Sequence, residues 1–120
     1  MKRILVVDDD PNMLLLISDL LTRGHYLVSQ ATSGASALQQ ARSVVPDLMV
    51  LDVMMPGLDG FEICRLIKAD PGLQTIKVIM VTAKTQDKDI ETGLSAGADY
   101  YVTKPFRIAE LSAKIRDLIG

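Results

Sequence analysis

Tryptophan is absent from this 120-residue chain, aromatics make up 4% of it, and cysteine and histidine occur once each. Each scarcity excludes something. A single cysteine, Cys64, cannot form an internal disulfide and suits a reducing cytoplasm. With 48% apolar residues and few aromatics, any core is built from Leu, Ile, Val, Ala and Met. His25 stands before a predicted strand without a partner motif, so a surface role is expected of it rather than catalysis. Neither charge dominates: 13 basic against 15 acidic residues leave a net −2, with no electrostatic footprint for nucleic acid or an anionic membrane. No apolar run approaches the ~18 residues of a membrane span. Lys2 and Arg3 precede an apolar stretch too short for a signal peptide. Linkers, low-complexity segments and repeats are missing too, so residues 1–120 are expected to form one domain, placed in the cytoplasm.

What is present is a regular alternation. Continuous apolar runs predict strands at 3–7, 26–31, 48–52, 77–83 and 100–103. Helical periodicity predicts helices at 11–24, 34–44, 61–69, 87–97 and 108–119, with 55–60 as loop. The expected inward stripes are Met13, Leu16, Ile17 and Leu20 in the first helix, and Ile63, Leu66 and Ile67 in the third. In the fifth helix they are Ile108, Leu111, Ile115 and Leu118. The fourth helix offers only Ile90, Leu94 and Ala96, carries Gly93 inside, and is expected to be weakly anchored. Strands alternating with helices imply an α/β fold: one doubly wound, five-stranded parallel sheet of order 2-1-3-4-5 with five helices, whose site lies at the carboxyl ends of the strands.

At those ends stand carboxylates. The first strand runs into Asp8 and Asp9, the third ends in Asp52, the fourth in Thr82, and Lys104 follows the fifth. Crowded carboxylates are best held by a cation, and an all-oxygen rim suits Mg²⁺. Asp10 is different, because it precedes Pro11 at a helix start, where Asp is a preferred cap and Pro a preferred first residue.

Four segments, "VVDDD" (6–10), "LDVMMPGLDG" (51–60), "VTA" (81–83) and "YVTKPF" (101–106), resemble the receiver domain of two-component response regulators over essentially the whole chain. That resemblance implies a flavodoxin-like fold and a bacterial phosphorylation switch. It implies that Asp52 accepts a phosphoryl group from a sensor histidine kinase or phosphotransfer protein, with Mg²⁺ or Mn²⁺ as cofactor. Asp9 is then the direct metal ligand, Asp8 acts through a bound water, and the Met54 backbone carbonyl completes the protein ligands alongside Asp52. Lys104 is implied to meet a phosphoryl oxygen and to precede a cis peptide bond with Pro105. Thr82 and Tyr101 match the switch pair, and the face made by the helix 87–97, the strand 100–103 and the helix 108–119 would control an output domain or downstream protein. Direct nucleic-acid binding, membrane binding and turnover catalysis are not expected of this domain. Winged-helix regulators carry a second acid where this chain has Tyr100, so Glu110, Lys114 and Arg116 are expected to lack the partners they meet in the symmetric dimer of that class, and that dimer is not expected here. A stand-alone protein and a piece of a longer regulator both remain open.

Three alternatives fit the residues less well. A haloacid-dehalogenase-type phosphatase also places aspartates after its first strand, but "DDDPN" lacks the threonine of its D-x-D-x-T run. A nucleotide or flavin binder needs glycines in the first loop, which has none. An unphosphorylated docking module has no use for the full acidic set.

Overall fold

The computed structural model describes residues 1–57 and 59–120; Leu58, within the segment expected as loop, lies outside the described residues. The strands β1 (Arg3–Val7), β2 (Leu27–Ala31), β3 (Leu48–Leu51), β4 (Lys77–Thr82) and β5 (Tyr100–Thr103) alternate with the helices α1 (Pro11–Arg23), α2 (Gly34–Val44), α3 (Gly60–Ala69), α4 (Asp87–Ser95) and α5 (Ile108–Ile119). All pairings are parallel, in the order β2-β1-β3-β4-β5. β1, β3 and β4 lie inside the sheet, which explains their unbroken apolar runs.

Side chains along each strand alternate between two cores. Leu5, Val7, Met49, Leu51, Val78 and Met80 pack under α2 and α3, while Ile4, Val6, Leu48, Val50, Ile79 and Val81 pack under α1 and α5. Cys64 is fully buried in the first core, and burial pushes its thiol up to about 11, so it acts as a small apolar residue.

Several inward stripes differ from expectation. In α1 the buried residues are Leu14, Ile17, Ser18 and Leu21, while Leu16 is exposed. The run "MLLLI" is apolar all round, so periodicity could not choose its face. Ser18 lies on the buried face, where its Oγ accepts from Gln30 Nε2 of β2 at 2.8 Å. In α3, Cys64 is buried and Leu66 exposed; in α5, Leu111 and Ile115 are buried and Ile108 is exposed. In α4, Leu94 is exposed and Ile90 half-buried; Gly93 is the buried residue of the helix, followed by Ala96 at its cap. A sheet-facing stripe is narrower than the apolar stripe when the outer side of the helix also carries leucine or isoleucine.

Caps set the helix boundaries. Asp10 Oδ1 accepts from Asn12 N at 3.0 Å ahead of Pro11, as expected for an N-cap. Ser33 and Asp59 cap α2 and α3 in the same way. The α2 C-cap is unusual: Val45 sits at φ 40°, ψ 74°, in the left-handed region that disfavours a β-branched residue, and Pro46 follows it. Val45→Gly is expected to stabilise the fold by about 1 kcal/mol after its greater unfolded-state freedom is counted. Urea unfolding would show a higher midpoint at unchanged slope; a lower midpoint would mean that the half-exposed valine contributes more by packing than its backbone costs.

Candidate functional site

Parallel register brings the strand ends level. Val7 pairs with both Ala31 and Leu51, Leu51 pairs with Met80, and Thr82 pairs with Thr103. The next residues therefore emerge on one rim: Asp8 after β1, Asp52 after β3, and Lys104 after β5. Backbone bonds extend the ladders to them, from Asp8 N to Ala31 O (3.1 Å), from Asp52 N to Val7 O (3.0 Å) and from Lys104 N to Thr82 O (2.8 Å).

Asp8 and Asp52 are buried, while Asp9 is exposed. One carboxylate oxygen from each of the three lies within 4.8 Å of the others. Lys104 Nζ lies 3.1 Å from Asp8 Oδ2 and 3.4 Å from Asp52 Oδ2, so its ammonium spans the two buried acids. Asp8 Oδ1 accepts from Asp10 N at 2.9 Å and Asp52 Oδ1 from Met54 N at 3.0 Å. Burial holds the Asp8 carboxyl above its ordinary range; the Asp10 amide opposes this, and the Asp52 charge adds to it. Burial alone would lower the Lys104 ammonium, but Asp52 and Asp8 outweigh it and its pKa is raised. The rim thus gathers more negative charge than one lysine neutralises. Oxygen donors alone, partly open to water through Asp9, fit a hard divalent ion that keeps some of its waters.

The loops around the rim have their own requirements. Lys104–Pro105 is cis, as expected. Gly57 has φ 81°, a turn conformation costly for other residues. Gly60, within the segment expected as loop, opens α3, and a Cβ there would lie 2.7 Å from Asp52 O and from Val53 Cα. The start of α3 therefore presses directly on the backbone of Asp52. Met54 is 54% exposed beside Asp52, leaving its side chain free to lie over the rim.

Thr82 and Tyr101 do not touch in the bonding network; one residue stands between them. Thr82 is fully buried, and its Oγ1 accepts from Lys84 N at 3.3 Å. Tyr101, half-buried, donates from its hydroxyl to Lys84 O at 2.8 Å. The Lys84 peptide groups make both bonds, and nothing in a sequence marks a peptide group as a bridge. On the neighbouring edge, Tyr100 reaches Glu110 Oε2 at 3.5 Å, and Lys114 Nζ sits 4.5 Å from the centroid of its ring. Glu110 and Lys114 thus have a partner within the chain: a tyrosine accepts a cation on its face and offers a hydroxyl to an acid.

The family model for the response regulator receiver domain matches residues 4–116. The DNA-binding response regulator MtrA of Mycolicibacterium smegmatis is 42% identical over 96% of this chain and 49% of its own length. The alkaline phosphatase synthesis transcriptional regulatory protein PhoP of Bacillus subtilis is 41% identical over 98% of this chain and 48% of its own. Among solved structures, the response regulator TrrA of Thermotoga maritima, in complex with Mg²⁺ and beryllofluoride, superposes with a TM-score of 0.89 at 36% identity, covering 99% of this chain and all of that one. The chain spans about half the length of the curated relatives it matches. None of these comparisons supports the phosphatase alternative. No helix among the described residues is long and apolar enough to cross a membrane.

Proposed function

This chain belongs to the response regulator receiver family, the phosphorylation-activated switches of two-component signalling, and from that premise we propose that Asp52 is its phosphoryl acceptor. One observation carries the assignment: the Lys104 ammonium bridges Asp52 and Asp8 on a rim where all-oxygen ligands converge. An Asp52 carboxylate oxygen attacks phosphorus, the bond from phosphorus to the imidazole nitrogen of a phosphohistidine breaks, and the donor departs. A phosphoramidate is an energetic donor, so the site's task is positioning and charge neutralisation. Lys104 meets a phosphoryl oxygen as a point charge, and the Thr82 hydroxyl, with its oxygen occupied by Lys84 N–H, can turn its proton towards the phosphoryl group. A divalent ion held by Asp9, Asp52 and the Met54 carbonyl, with Asp8 through a water, would supply further neutralisation.

In this reading residues 1–120 are one receiver domain acting in the cytoplasm as a switch rather than a turnover enzyme. It takes its phosphoryl group from a histidine kinase or phosphotransfer protein and signals through α4, β5 and α5. The DNA-binding names of its curated relatives favour an output half of that kind. The test is incubation with Mg²⁺ and a small acyl phosphate: intact-protein mass should rise by one phosphoryl group, labile to base. No gain, or a base-stable one, would overturn the proposal.

Two further expectations concern the rim. Asp9→Ala should weaken Mg²⁺ binding at least tenfold, whereas Asp10→Ala should leave it near wild type and cost about 1 kcal/mol of capping. Mg²⁺ titration by calorimetry beside thermal melts separates the two, and the reverse pattern would reassign the triplet. Hydrolysis of the phosphoaspartate needs a water in line with phosphorus. Apolar Met54 and cationic Lys84 can cover that approach, and neither can orient the water as a base. Met54→Asn with Lys84→Glu should therefore shorten the phosphoryl half-life several-fold; an unchanged decay would show that both side chains stand clear.

A further inference from the structure

Gly93 is odd twice over. It lies inside a helix, where glycine weakens the element, and it is the residue that α4 buries. A Cβ built on it would lie 2.8 Å from Tyr101 Cδ2, 2.9 Å from Tyr101 Cε2 and 2.9 Å from Met80 Sδ. Real Cβ atoms essentially never approach so closely. Met80 is fully buried in β4 and cannot yield easily; the half-exposed tyrosine can.

We propose that Gly93 is a positioning residue of the switch: the missing Cβ makes a notch in α4 that seats the Tyr101 ring inward, and through the Lys84 backbone this seating orients the Thr82 hydroxyl towards Asp52. Each link as far as Thr82 has a distance. The ring lies against Gly93, its hydroxyl donates to Lys84 O at 2.8 Å, and Lys84 N donates to Thr82 Oγ1 at 3.3 Å. Burial of the ring also pushes the Tyr101 hydroxyl up to about 12, with Asp89 and Asp52 adding to it, so the group stays a donor throughout the neutral range. The notch therefore decides how much of the population holds Thr82 ready before any phosphoryl group arrives. The last link rests on Asp52 being the phosphoryl acceptor; the seating of the ring does not.

The test uses Gly93→Ala beside Tyr101→Phe. Protein carrying 3-fluorotyrosine at its three tyrosines gives three fluorine resonances, and the one lost in Tyr101→Phe identifies position 101. In the parent its shift between H₂O and D₂O should be well below that of a fully exposed ring, as befits a half-buried one. In Gly93→Ala it should take the solvent-isotope shift of an exposed ring. Beryllofluoride with Mg²⁺, titrated by the same signals, should bind Gly93→Ala about tenfold more weakly, because only the inward fraction is competent. Tyr101→Phe, which keeps the ring and loses the bond to Lys84 O, should weaken binding in the same direction, read from the two remaining resonances. An unmoved Tyr101 resonance in Gly93→Ala would overturn the notch, and an exposed ring with undiminished beryllofluoride affinity would overturn its link to Thr82. Alanine is the better helix former, so a Gly93→Ala protein that failed to fold would show that the ring has no outward position, and would overturn the proposal too. If the parent itself bound no beryllofluoride, the assignment of Asp52 would fail, and the fluorine shifts would still decide the seating of the ring.

Discussion

Asp52→Asn will take up no phosphoryl group from a small acyl phosphate under conditions that label the parent protein. The substitution keeps the shape of the side chain, and its amide oxygen can still accept from Met54 N, as Asp52 Oδ1 does at 3.0 Å. It removes the anionic oxygen that attacks phosphorus. It also turns an N–H group, or a neutral oxygen, towards the Lys104 ammonium, now 3.4 Å from Asp52 Oδ2. The loss should be complete within detection, because neither flanking acid can substitute. Asp8 is buried against Lys104 and the Asp10 amide, and Asp9 sits on the solvent side of the cluster. Intact mass of both proteins after equal exposure to acyl phosphate and Mg²⁺ reads the result directly. Equal labelling would move the acceptor elsewhere. Loss of labelling in Asp8→Asn with retention in Asp52→Asn would point back to chemistry on the first strand, where a phosphatase of the dehalogenase type carries its nucleophile.

The rim was legible in the sequence because the parallel sheet does the arithmetic. Once strands are placed, the residue after each strand is placed too, and Asp8, Asp52, Thr82 and Lys104 follow without side-chain detail. Helix caps were legible for a related reason: Asp10 before Pro11 is a local pattern with a local cause. Helix faces were less so. Leu16, Leu66, Leu94 and Ile108 fit the helical period, yet each is close to half exposed. Which of several apolar residues turns inward depends on neighbours far along the chain, and Ser18 meets Gln30 on the buried face of α1. Glycines are hard to read for the same reason. In sequence Gly60 falls in a loop and Gly93 weakens a helix. In space both are close approaches, to the backbone of Asp52 and to the Tyr101 ring. At Gly93, the residue that α4 buries, the helix presents to the sheet a notch instead of a side chain.

Lys104→Met will destabilise the metal-free protein and tighten its Mg²⁺ binding. Both effects come from one charge. In the structure the ammonium is the cation of the acidic cluster, 3.1 Å from Asp8 and 3.4 Å from Asp52, with 18% of its side chain exposed and those of its partners at 3% and 8%. Methionine fills the same volume without the charge. Removing one partner of a fully buried ion pair costs about 3–5 kcal/mol. Here the exposed Asp9 side lets water reach the cluster, and Asp8, already raised by burial and by Asp52, can take a proton. A loss of about 2 kcal/mol is therefore expected in a chelator at neutral pH. A divalent ion entering the cluster no longer meets a positive charge a few ångströms away. At the effective dielectric of a protein surface that repulsion is worth a few kcal/mol before screening, so Mg²⁺ should bind at least tenfold more tightly. Added Mg²⁺ should in turn restore more stability to the variant than to the parent. Urea unfolding with and without Mg²⁺, beside calorimetric titration, measures both. Lys104→Arg, which keeps the charge, should leave Mg²⁺ affinity within a few-fold of the parent. If Lys104→Met matched the parent in chelator and bound Mg²⁺ no better, the lysine would be a bystander in the resting rim, and its proposed part in neutralising the phosphoryl group would lose its physical basis.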